Sequence, residues 1–256
     1  MKIAIWQDRS PLGDTEAALG RLTSALAAAG AMGAATLVAP EVYFPGYNQP
    51  DIPAAALARD AAAIRRLSDA CRSACCGLVV GYAERDGDRL CNSALALDAQ
   101  GREVANYRKI QLYGAREKTI YAPGEGYATF DLGGVRAALL ICYDVEFAPH
   151  IAELAARGAQ VILVPTANMH PFVHVVRHTV PAMAANHGVT IAYANFCGDE
   201  GDLRYTGGSL IVGPHGEILA QAGETPALLV AEIPDADLSR LSTQAADLRR
   251  MPDAQG

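Results

Sequence analysis

The sequence predicts an α/β fold in which two β-sheets stack between outer layers of helix. Two observations lead there. Short apolar runs of buried-strand character, such as "KIAIW", "TLVAP", "AQVILVPTA" and "VTIAYANF", alternate with amphipathic helical stretches. Two segments, "SALALDAQGREVA" and "SLIVGPHGEILA", then repeat one pattern: apolar strand, tight turn reaching Gly, a charged residue, apolar strand. Two such halves would bury their sheets face to face and cover each outer face with helices. At 256 residues and 51% hydrophobic composition the chain can build one large core. No linker or composition break divides it. One domain over 1–256 is therefore expected, with a body over about 1–234 and a C-terminal tail over 235–256.

The elements follow in order. "KIAIW" opens as a strand, and residues 14–30 read as a helix with Leu19, Leu22 and Leu26 on one stripe. "TLVAP" is a buried strand ending at Glu41. A second helix is expected over roughly 54–75. "GLVVGYAER" follows as a strand. "SALALDAQGREVANYRK" and "ATFDLGGVRAALLICYD" read as hairpins, because "DAQG" and "LGG" are turn signals. A helix from about Glu146 to Arg157 tolerates Pro149 in its first turn. The strand "AQVILVPTA", a helix near 173–187, the strand "VTIAYANF", the hairpin "SLIVGPHGEILAQ" and the strand "ALLVAEI" complete the body. Past Leu241 no apolar stripe continues, and the tail is expected to wrap a neighbouring surface or to be loosely ordered.

Charge removes several function classes. Net charge is −7 and no basic cluster occurs, which argues against a nucleic-acid partner. The uncharged run from Leu22 to Pro40 is long enough to raise a membrane span. It consists largely of Ala and Gly and is broken by "AAAGAMGAAT", so helix, turn and buried strand fit it better. The apolar start is too short for a signal peptide. A soluble cytoplasmic protein without a membrane partner is expected. The six cysteines, Cys71, Cys75, Cys76, Cys91, Cys142 and Cys197, form no CxxC pair, so reduced thiols are expected. Cys71, Cys75 and Cys76 read as small buried hydrophobes of a helix.

Three stretches carry candidate chemistry. In "VAPEVYFPGYN", Glu41 stands where a buried strand meets a Pro/Gly turn, and a partly dry carboxylate there would have the raised pKa of a general base. In "ANYRKIQLYGAREK", Lys109 closes a strand and could stabilise an oxyanion, with Glu117 in the loop that follows. In "LLICYDVEFAPH", Cys142 ends an apolar strand just before a helix. That start would favour thiolate and would aim the Tyr143 backbone N–H at an oxyanion. Taken singly, each also reads as an ordinary residue: a solvated strand-end acid, a surface lysine, an inert core thiol.

Together the three stretches resemble the nitrilase superfamily of carbon–nitrogen hydrolases, over Lys2 to about Ile233. The match rests on "APEVYFPGY", "YRKIQLYG" and "LLICYDVEF", supported by "VILVPTANM", "VTIAYANFCG" and "GGSLIVGPHGEIL". The resemblance implies a four-layer αββα sandwich and a Glu41–Lys109–Cys142 set, with Glu117 as a second glutamate holding Lys109 and Cys142. It implies a cofactor-free, metal-free amidase, and a homodimer or higher homo-oligomer. "CYDVEF" is similar to the amidase branches rather than to the nitrilase branch, which usually has Trp-Glu after its cysteine. Tyr143, Tyr47, Tyr113, Asn168 and Met169 are the expected substrate-binding residues, within loops near Tyr43, Tyr113, 168–172 and Phe196. One departure stands out: "PAMAANHG" puts Met183 and Ala185 where the family often has Arg and Glu.

The expected reaction is hydrolysis of a small aliphatic or amino-acid carboxamide to acid and ammonia. Within the superfamily the alternatives are an N-carbamoyl amidohydrolase and a nitrilase. A carboxylate-bearing N-carbamoyl substrate would need a basic residue, for which Arg177 is the nearest candidate. A different class is a zinc-dependent hydrolase using His170, His174 and His178. His174 and His178 have ligand spacing on a helix, but the Glu of HExxH is missing. A non-catalytic scaffold is the remaining reading.

Overall fold

A computed structural model describes residues 1–249. Its strands are β1 Lys2–Gln7, β2 Ala34–Val38, β3 Gly77–Asp86, β4 Arg89–Leu97, β5 Glu103–Arg108, β6 Ala128–Leu132, β7 Val135–Leu139, β8 Val161–Pro165, β9 Thr190–Ala194, β10 Cys197–Glu200, β11 Leu203–Thr206, β12 Leu210–Val212, β13 Ile218–Gln221 and β14 Ala227–Glu232. Its helices are α1 Thr15–Ala31, α2 Ile52–Ala55, α3 Ala62–Ala74, α4 Gly114–Ile120, α5 Ala148–Ala156, α6 Val180–His187 and α7 Gln244–Asp247.

Two six-stranded sheets form, in the orders β14-β1-β2-β3-β4-β5 and β13-β12-β9-β8-β7-β6. They are built alike. In the first, β1 pairs β2 and β2 pairs β3 in parallel, while β14, β4 and β5 join antiparallel. In the second, β7, β8 and β9 are the parallel centre, with β6, β12 and β13 antiparallel. The twin hairpins of the sequence are β4–β5 and β12–β13, at matching edges. The expected two-half αββα architecture is therefore present.

Alternation along the strands separates the layers. Ile3, Ile5, Val38, Val79, Ala94 and Ala96 point into a core shared with Ala137, Leu139, Leu163 and Ile191 of the other sheet. Ala4, Leu37, Leu78, Val80, Leu95 and Leu97 point the other way, onto Leu19, Leu22 and Leu26 of α1 and Ile64 and Leu67 of α3. Central parallel strands covered on both faces need apolar residues at every position, which is why "TLV" and "LVV" read as unbroken runs.

Two helical expectations differ from the structure, and a third holds with a change of winding. The helix expected over 54–75 is interrupted between α2 and α3. There the Leu57 backbone pairs with β3 instead, its N–H donating to Ala83 O (2.8 Å) and its carbonyl accepting from Arg85 N (2.9 Å). The helix expected from Glu146 begins at Ala148 as α5, with Pro149 in its first turn; a separate 3₁₀ turn over Cys142–Glu146 precedes it, and the extended Phe147 divides the two. The helix near 173–187 is present as expected, with a wider π-type winding over Val175–Thr179 that leads into α6. Pro181 has no N–H to return to the preceding turn, which favours a change of winding there. The hairpin β10–β11 was not expected, because "CGDE" and "LRYT" are short and largely polar. Of the tail over 235–256, residues 250–256 lie outside the described residues; before them Leu241 lies against Gly188 at the end of α6. No helix among the described residues is long and apolar enough to cross a membrane.

Candidate active site

Glu41 follows β2 at the carboxyl edge of the sheet, where α/β folds gather their ligands. It is fully buried. Its backbone comes so close to β3 that a Cβ on Gly81 would stand 2.5 Å from the Glu41 Cα, so only glycine fits there. Val42, next in the chain, has φ +42°, a left-handed conformation that a β-branched residue adopts only when its surroundings impose it.

Lys109, just past β5, is buried and reaches two carboxylates: Nζ donates to Glu41 Oε1 at 2.6 Å and to Glu117 Oε1 at 2.7 Å. Glu117 is not in a loop, as expected, but in α4, and it is buried rather than solvated. Its Oε1 also accepts from the Tyr47 hydroxyl (2.7 Å), and its Oε2 from the Tyr113 N–H (2.8 Å). Asn92 Nδ2 donates to Glu41 Oε1 at 2.7 Å. Glu41 Oε2, by contrast, is buried with no hydrogen-bond partner among the described residues.

Electrostatics follow from this packing. Burial pushes the Glu41 carboxyl up to about 6, against the pull of Lys109. Burial also works against the Lys109 charge, but Glu41 and Glu117 outweigh it and hold the ammonium on, well above the ordinary lysine range. The Cys142 thiol is pushed well above its ordinary value, by burial first and by the Glu41 charge second. This corrects the expected thiolate. A five-residue 3₁₀ turn has too little dipole to offset desolvation, so Cys142 rests as a protonated thiol.

The turn around Cys142 is held by Asp144. One Asp144 oxygen accepts from Ile141 N (3.0 Å) and the Tyr107 hydroxyl (2.8 Å), the other from Gln111 N (2.7 Å). Cys142 sits at φ +45°, a second non-glycine residue in the left-handed region.

Cys142 opens into a cavity of about 230 Å³. All five expected binding residues, Tyr143, Tyr47, Tyr113, Asn168 and Met169, line it. Asn195 fixes the Asn168 backbone, accepting from its N–H (2.8 Å) and donating to its carbonyl (3.1 Å). Tyr43 and Phe196 do not line the cavity; they are buried and stacked on each other at 6.0 Å. Glu146, Ala167, Phe172 and His174 also line it. Glu146 is legible as the last acid of "CYDVEF", four residues beyond the cysteine, but no local pattern marks it as a cavity residue. Arg177 is exposed and is not among the cavity residues. Among the described residues no group of three or more His, Cys, Asp or Glu could hold a metal ion, and His170, His174 and His178, the ligands of the alternative zinc reading, form no such group.

A buried Glu–Lys–Glu cluster behind a strand-end cysteine, on two stacked sheets of matching topology, defines a hydrolase of carbon–nitrogen bonds. The carbon–nitrogen hydrolase family model matches residues 2–242. An (R)-stereoselective amidase of a Pseudomonas species is 33% identical over 99% of this chain and 91% of its own length. A nitrilase of Pyrococcus abyssi is 34% identical over 75% of this chain and 74% of its own. The amidase of Nesterenkonia sp. AN1, solved as a double mutant in complex with acrylamide, superposes with TM-score 0.89 at 38% identity, covering 97% of this chain and 94% of that one. A further structure of that amidase shows Michael addition of acrylamide at its active-site cysteine. The chain belongs to the carbon–nitrogen hydrolase family, in the nitrilase superfamily.

Proposed function

We propose that the protein hydrolyses small carboxamides to acid and ammonia through a thioester on Cys142. The observation that carries this reading is the divided state of Glu41: one oxygen is tied to Lys109 and Asn92, the other is buried, unpartnered and raised in pKa. Glu41 Oε2 takes the thiol proton as Sγ attacks the amide carbon. Lys109 and the Tyr143 N–H receive the charge that develops on the carbonyl oxygen. Glu41 returns the proton to the leaving nitrogen, and the carbon–nitrogen bond breaks to leave the thioester and ammonia. Water then enters, gives a proton to Glu41 and its hydroxide to the acyl carbon, and the acid departs with the thiol restored. Glu117 keeps Lys109 charged and in place.

Small aliphatic or amino-acid amides fit a cavity of about 230 Å³. That no Lys or Arg among the described residues lines it weighs against N-carbamoyl amino acids, whose carboxylate needs a base. The test is ammonia release from matched carboxamide, nitrile and N-carbamoyl substrates, alongside Cys142→Ala. Wild type is expected to prefer the amide, and Cys142→Ala to fold but fall at least 10⁴-fold in kcat. Normal turnover by Cys142→Ala would remove the thioester, and a nitrile preferred to its own amide would move the protein to the nitrilase branch.

A further inference from the structure

Beyond Cys142, the cavity wall has an uneven charge. Among the described residues, Glu146 is its carboxylate, no Lys or Arg lines it, and His174 is the remaining ionisable base. Beneath it Lys109 is paired with two carboxylates, so the floor carries no net positive charge. The rest of the wall is largely aromatic. Tyr113 meets Tyr143 edge-to-face at 5.4 Å and Phe172 at 6.0 Å, and Phe172 meets His174 at 6.3 Å. A carboxylate beside aromatic rings, in a field of net negative sign, is the environment that recognises an organic cation.

We propose that Glu146 and the Tyr113–Tyr143–Phe172 wall form a subsite for an ammonium group, so that the preferred substrates are carboxamides bearing a protonated amine. This rests on the amide-hydrolase reading above and chooses among its substrates. Cys142 and Glu146 are the first and last residues of one 3₁₀ turn, about 8 Å apart along its axis. Both side chains line the same cavity, so a short carboxamide with its carbonyl carbon at Sγ can carry an amine, one or two methylenes away, toward the Glu146 carboxylate. The state of Glu146 agrees. Burial pushes its carboxyl up, with His174 pulling the other way, so an arriving cation would restore the charge that desolvation opposes. It also explains why a substrate carboxylate would be refused: it would meet Glu146 with no cation to receive it.

The test compares three amides at pH 7: 3-aminopropanamide, which is protonated; butanamide, of the same length and uncharged; and succinamate, which is anionic. Wild-type kcat/KM for 3-aminopropanamide is expected to exceed both others at least 10-fold, mainly through KM. Glu146→Gln keeps the side chain's size and is expected to shrink the 3-aminopropanamide to butanamide ratio at least 5-fold. Butanamide or succinamate used as well as 3-aminopropanamide by wild type overturns the subsite and leaves amide hydrolysis standing. An unchanged ratio in Glu146→Gln removes Glu146 from it. Should Glu146→Gln not fold, the wild-type ratio alone decides. Should no amide turn over, the hydrolase reading fails separately, and calorimetric titration into Cys142→Ala reads the subsite by itself. There, 3-aminopropanamide bound at least 10-fold tighter than butanamide supports it, and equal affinity sinks it.

Discussion

Glu41 shows how far a single residue could be read in advance. Its strand-end position predicted a raised carboxyl, and burial does raise it, to about 6 from an ordinary 4.5. Lys109 is implied beside it by the resemblance, but Asn92 is not legible as a partner, because it arrives from β4, far along the chain, and no local pattern marks it. The value sets a pH dependence. The base works only when ionised, so kcat/KM for an uncharged amide is expected to fall tenfold per pH unit below about 6 and to be level just above it. The stability contribution has the opposite sign. A folded pKa above the unfolded one means that the ionised, buried carboxylate opposes folding at neutral pH, and this opposition fades as pH falls through about 6. Activity lost at pH 5 should therefore return on neutralisation, without a loss of fold at this group. A flat profile down to pH 5 would rule out Glu41 as the base. Cys142 is legible as a candidate nucleophile but not as a protonated thiol, since desolvation depends on what packs over the sulfur and the flanking residues do not encode it.

Short elements hold the site, and these were read least well. α4 is not legible as a helix, because seven residues give too little periodicity, yet it delivers Glu117 to Lys109. Glu117→Gln keeps the shape and removes the charge. It is expected to lower kcat at least 100-fold, because Lys109 then answers to Glu41 alone and the Tyr47 and Tyr113 contacts change partner character; unchanged kcat and KM would return Glu117 to a structural role. The Cys142–Glu146 turn depends likewise on Asp144, which accepts three hydrogen bonds from Ile141, Gln111 and Tyr107. Asp144→Asn replaces one acceptor oxygen with a donor, leaving a buried N–H or O–H unsatisfied. A stability loss of about 1–3 kcal/mol in urea is expected. A displaced Sγ should also lower kcat at least 10-fold with KM less affected, since small misplacements of a reacting atom are costly. Full activity with reduced stability would show that Asp144 supports the fold and not the thiol.

At the scale of the molecule, the repeat of one hairpin pattern was enough to foresee two like sheets, because hairpins are local and their turn residues are specific. What covers the outer surface is a different matter, since it need not come from this chain. Leu238 and Leu248, in the part of the tail that is described, are 81% and 68% exposed. Each leucine left in water forgoes about 1.5–3 kcal/mol of burial, which a second copy could supply by covering both tails at once. The homodimer expected from family resemblance gains a physical motive from this pair. Sedimentation equilibrium at micromolar concentration is expected to give twice the 26.9 kDa chain mass. The double substitution Leu238→Asp, Leu248→Asp would place two charges on each tail and should weaken association at least 10-fold, with little change in far-UV circular dichroism. A wild-type monomer at those concentrations would end the dimer proposal, whereas a dimer indifferent to the double substitution would keep the assembly and move its contact away from the tail.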